Sequence, residues 1–172
     1  MRRTLTTTAA AAALLALAAC SNTKSPTITD SAPKPAKPTA ASTVTAQDAF
    51  SKISGQVRAA KVSGTVTAEN DPNHLLGRPG QYTSKITFTD VRIKPSDVEG
   101  TEKGDVERGG AIEVFSSATD ATTRAKYIQT VTKSMPALAE YNYVHGAVLV
   151  RVSHYLTPTQ AATYKTAVDG LS

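Results

Sequence analysis

The chain has no tryptophan and a single cysteine in 172 residues, and aromatic side chains make up 5% of it. One thiol excludes an internal disulfide, so any fold must hold through its core alone. Sparse aromatics give a poor platform for carbohydrate stacking, and little for the base stacking that single-stranded nucleic acid needs. The three histidines, His74, His145 and His154, never fall at i, i+4 spacing with a second ligand, so no metal site is expected. There is no Gly-x-Ser-x-Gly elbow, no glycine-rich phosphate loop and no carboxylate pair in an apolar frame. The expectation is a chain without catalytic residues and without a cofactor. Long apolar runs are also missing. The longest, Ala9 to Ala19, falls short of the about 20 residues that a membrane-spanning helix needs.

What is present begins at that run. Arg2 and Arg3 precede it, the small residues Ala18 and Ala19 close it, and the chain turns polar at Ser21. This is the layout of a secretory signal. Leu17-Ala18-Ala19-Cys20 resembles the lipobox of bacterial lipoproteins. The resemblance implies that residues 1–19 are a signal peptide and that Cys20 carries lipid. It also implies that the mature protein sits on the extracytoplasmic face of the cell membrane. Two acyl chains of the palmitate kind, at ~0.8 kcal/mol per buried CH₂, hold a protein stably where one is marginal.

From Cys20 to Val44 the sequence is rich in Pro, Thr, Ala and Lys, with Pro26, Pro33, Pro35 and Pro38 blocking regular structure. Such a stretch buries too little to offset its ordering entropy and reads as a disordered tether. Extended, it would reach roughly 70 Å at ~3.1 Å per residue. The formal charge of +5 belongs to this part. Five of the 19 basic residues and one of the 14 acidic ones precede residue 45, which leaves 14 against 13 beyond it. A near-neutral domain argues against nucleic acid as a partner.

Residues 45–172 read as one domain. Ala46, Ala49, Phe50, Ile53 and Val57 make a helical stripe behind a Thr45–Asp48 capping pair. Alternation marks strands over 61–69, 82–92 and 111–115. A second helix starts near Thr119, with Ser117 and Asp120 at capping spacing, and stops before Pro136. Tyr141–Val144 and Ala147–Ser153 read as a hairpin about a His145-Gly146 turn. The final helix has Thr157 at N-cap, Pro158 at N1, Gln160 at N3 and Gly170 at its end. The order α-β-β-β-α-β-β-α predicts a two-layer α+β domain: an antiparallel sheet of about five strands with the helices on one face. The opposite face, rich in Thr and Ser, is expected to be solvated.

The most distinctive stretch runs from Asn70 to Lys85 and holds Asn70-Asp71-Pro72-Asn73 and Leu75-Leu76-Gly77-Arg78-Pro79-Gly80. Both ends are turn chemistry. With the lipobox, the tether and the closing stretch from Glu140 to Pro158, it resembles a lipoprotein group of high-GC Gram-positive bacteria and their phages. That resemblance brings no activity with it. On its residues alone the stretch is either a shaped loop with Leu75 and Leu76 plugging the core edge, or a binding loop presenting Asp71, His74 and Arg78. The acidic loop from Asp97 to Gly110 lacks calcium-loop spacing and is expected to be a solvated, mobile connection. The leading expectation is therefore a non-enzymatic, membrane-anchored envelope lipoprotein that binds a protein or wall polymer. The alternatives are a phage-encoded superinfection-exclusion lipoprotein and a small extracytoplasmic hydrolase.

Overall fold

A computed structural model describes residues 44–172; Cys20, the signal peptide and the tether up to Thr43 lie outside the described residues. Three helices, α1 (Ala46–Gln56), α2 (Ala118–Lys133) and α3 (Pro158–Asp169), accompany five strands. The strands are β1 (Ala60–Thr65), β2 (Ser84–Asp90), β3 (Gly109–Val114), β4 (Glu140–His145) and β5 (Val148–Ser153). They form one antiparallel sheet in the order β1-β2-β3-β5-β4. The fold class and the element order are those the sequence predicts.

The helix starts are set by side chains. Thr45 and Asp48 cap α1 reciprocally, as do Thr157 and Gln160 on α3, where Pro158 takes the first turn. Ser117 accepts from the Asp120 amide at the start of α2. Each cap is worth about 1 kcal/mol. The hairpin turn lies one residue later than expected. His145 still pairs with Val148, so Gly146, at φ +52°, and Ala147 make the turn.

One sheet face carries Ile86, Phe88, Ile112, Val114, Val150 and Val152, which pack with Phe50 and Ile53 of α1 and with Tyr164 and Val168 of α3. Phe88 is the hub, 5.9 Å from the Phe50 ring and stacked at 5.5 Å on Tyr164. It lies over Gly110 of β3, where a Cβ would collide with the Phe88 ring and the Arg151 carbonyl. A glycine in mid-strand marks such a close approach.

The second face departs from expectation. α2 does not join α1 and α3; its Ala121, Ala125 and Ile128 pack instead with Leu149, Tyr82 and Phe115 on the other side of the sheet. Leu75 and Leu76 press against the same cluster. The loop after β2 lies on this side too. Ser153 Oγ donates to the Glu107 carbonyl at 2.7 Å, and Gly104 approaches Thr87. The segment from Asp97 to Gly110 is built rather than loose: two short 3₁₀ turns, Pro95–Val98 and Val106–Arg108, bracket it. Arg108 donates to the Thr101 carbonyl at 2.8 Å, and Val98 is buried. The physical reason for the change of face is charge. Lys85, Glu113 and Arg151 project from this side, and α2 covers them with the small residues Ala121 and Ala125 and with Arg124, which pairs with Glu113.

Candidate functional site

Glu113, fully buried on β3, is the centre of that charged face. Lys85 pairs with it directly across β2 and β3, with Nζ 3.3 Å from Oε1. Arg151 reaches it diagonally from β5 at 3.2 Å, and Arg124 comes down from α2 with Nε 3.1 Å from Oε2. Arg151 also grips Glu140 of β4 through two bonds of 2.8 Å. Three cations thus face two carboxylates, and none of the five side chains is more than 15% exposed.

The protonation states follow from the packing. Burial works to raise the Glu113 carboxyl, but Arg151, Lys85 and Arg124 outweigh it and hold the group below the usual carboxylate range. Burial lowers the Lys85 ammonium, Glu113 supports it, and repulsion from Arg151 adds to the fall. Beside Arg151, on the same face by register, the Asn142 amide is buried with neither its nitrogen nor its oxygen paired among the described residues.

Above this cluster opens a cleft of about 630 Å³. Lys85, Arg124, Arg151 and Glu140 form its floor. Tyr127, Val131 and Leu138 form an apolar wall; they are 60%, 37% and 46% exposed, among the most exposed large apolar side chains of the domain. Asp105 and Glu107, from the loop before β3, and Pro72 and Asn73 also line it. A cleft of this size suits a small molecule or a chain end.

The residues that the sequence singles out lie differently. Asp71 is 1% exposed and faces inward. Its carboxylate accepts the Tyr82 hydroxyl at 2.7 Å, the Leu75 and Leu76 amides at 2.8 and 2.9 Å, and the Asn73 amide at 3.2 Å. Burial raises this carboxyl, yet the four bonds prevail and bring it down to about 2. With all these partners, Asp71 ties the loop. His74, at φ +51°, and Arg78 are exposed on the same loop and do not line the cleft. The loop contributes Pro72, Asn73 and Leu75 to the cleft instead, so it both caps the second core and walls the site. His145 is exposed at the hairpin, and His154 Nδ1 lies 2.8 Å from the Ala139 carbonyl. Among the described residues no three His, Cys, Asp or Glu side chains converge, and no helix is long and apolar enough to cross a membrane.

Sequence reasoning missed the floor of the cleft because Lys85, Arg124 and the hairpin that carries Glu140 and Arg151 are far apart in the chain. The available signal was Lys85, Glu113 and Arg151, each a charged residue inside a β-rich run. Comparison with family models, curated proteins and solved structures finds no match to this chain.

Proposed function

We propose that this chain is an envelope lipoprotein, anchored through Cys20 and spaced from the membrane by its tether, whose domain is a binding module. In this reading the α2 cleft holds a partner outside the membrane, and the protein catalyses no reaction. The observation that supports it most is the state of the cleft floor. Glu113 is clamped in its ionised form by three cations, which makes it a weak base, and arginine stays protonated throughout the working range. Such a floor positions charge, and Lys85, the floor cation whose ammonium is lowered, is itself tied to Glu113 at 3.3 Å. The lipobox, the tether and the likeness to the high-GC Gram-positive group support the location.

Two measurements test the halves separately. Labelled fatty acid should enter the wild type and not Cys20→Ala, which should also leave the membrane fraction; a wild type that takes up no label overturns the anchor. A photoreactive residue at position 127, beside the cleft, should trap a partner in intact cells. The same residue at exposed Thr159 on α3 should not. Equal trapping at both positions, or none at 127, overturns the site.

A further inference from the structure

The charges of the cleft select a class of ligand, a selection that rests on the reading of the cleft as the binding site. Arg151 is spent: both carboxylates of the cluster engage it. Arg124 is not. Only its Nε is committed, to Glu113, while its guanidinium carbon lies 5.8 Å over the Tyr127 ring. Its two terminal nitrogens make no hydrogen bond among the described residues, and the side chain lines this cleft and the smaller pocket of about 310 Å³ beside Tyr127. A guanidinium fixed at one end by a carboxylate and at one face by an aromatic ring is a preorganised fork for an oxyanion. Lys85, Arg124 and Arg151 outnumber Glu113 and Glu140 by one at the floor, but Asp105 and Glu107 in the lining offset that excess, so it is the open end of Arg124 and not net charge that offers an anion a place.

The walls narrow the class. Asp105 and Glu107 also line the cleft, so a polyanion such as a phosphate cluster would meet repulsion there. A single carboxylate would meet less of it, and an amine some ångströms behind it would be attracted. Tyr127, Val131 and Leu138 offer an apolar side chain a surface next to the fork. We propose that the cleft binds a peptide end: a terminal carboxylate on Arg124, with the last apolar side chain against Tyr127, Val131 and Leu138. The source is either a free short peptide, whose amine would meet Asp105 and Glu107, or the C-terminus of a longer chain.

The test is isothermal titration of the full chain in detergent with Ala-Leu, N-acetyl-Ala-Leu, Ala-Leu-amide and inorganic phosphate. The acid Ala-Leu or its acetylated form should bind at least tenfold tighter than the amide and than phosphate. Tighter binding of Ala-Leu identifies a free peptide; equal or tighter binding of the acetylated form identifies a chain end. Arg124→Gln should weaken the acid at least tenfold, a charge-assisted bidentate contact being lost. Lys126→Gln, exposed on α2 and outside the cleft, should not change it. Tyr127→Ser, at a site too exposed to disturb folding, should erase the preference for Ala-Leu over Ala-Ala. Equal binding of acid and amide, or full binding by Arg124→Gln together with Tyr127→Ser, overturns the inference. So does silence from every peptide; if position 127 still traps a partner in cells, that silence removes the ligand class and leaves the binding site standing.

Discussion

Glu113→Ala is expected to cost the domain about 3–5 kcal/mol, the range for removing one member of a buried ion cluster and stranding the rest. The substitution leaves Lys85, Arg124 and Arg151 in a space where they are 6%, 12% and 15% exposed, with Glu140 as the remaining counterion. At a urea slope of about 2 kcal/mol per molar, the midpoint of the full chain should fall by roughly 2 M. Lys165→Ala serves as the reference, because it breaks an ion pair whose partners are 59% and 57% exposed; exposed pairs contribute little. If Glu113→Ala shifts the midpoint no more than Lys165→Ala does, the cluster is not what holds α2 to the sheet.

The same variant has a pH signature with a definite sign. Burial already lowers Lys85 in the native state, and losing Glu113 removes its main support. The unfolded chain then binds more protons than the folded one between the lowered native value and the ordinary 10.5, so stability must rise with pH across that window. The deficit of Glu113→Ala should therefore shrink as pH climbs above neutral, and adding Lys85→Met should recover part of it at pH 7. The other charges facing Lys85 are Arg151 and Asp71; neither titrates in this window, Arg151 being pushed up by Glu140 and Glu113 and Asp71 held low.

Local rules make part of this molecule legible along the chain alone. Both capping boxes, the stop at Gly170 and the hydrophobic stripes of α1 and α3 are written within a few residues of each other, so they can be read in sequence order. The side of the sheet on which α2 lies is not local. It depends on Lys85, Glu113, Arg124 and Arg151 meeting, and in the chain each looks like an ordinary wet-face charge. Alternation says that such residues share a face; it does not say that the face is solvated, because opposed charges in register can be buried together. The order β3-β5-β4 is equally remote, since β3 must pair across the whole of α2. The Asn70–Gln81 stretch shows the converse. Its turn chemistry is visible in the residues, and turn chemistry is what Asp71 performs, with its carboxylate spent on the loop rather than offered to a ligand.

Asp71→Ala should accordingly be the second most damaging change, at about 3 kcal/mol, because it leaves the buried Tyr82 hydroxyl and the Leu75 and Leu76 amides without their acceptor. The injury should be local first. Amide exchange at Leu75 and Leu76 should speed up more than at Ile112 in the sheet centre, since the loop can open without the strands. Asp71→Asn isolates the charge. A carboxyl whose folded value is about 2 and whose ordinary value is 3.8 contributes about 2 kcal/mol that is fully present above the unfolded value and lost as pH falls through the folded one. Asp90 and Glu113 are also depressed, so the wild type should lose stability below pH 4 for several reasons at once. The difference between wild type and Asp71→Asn removes those shared contributions. It should be largest above pH 4 and close toward pH 2. A difference that stays constant from pH 7 to pH 2 would mean that Asp71 acts by shape alone. In either case Asp71 is the tie of the loop that brings Pro72, Asn73 and Leu75 into the lining of the cleft.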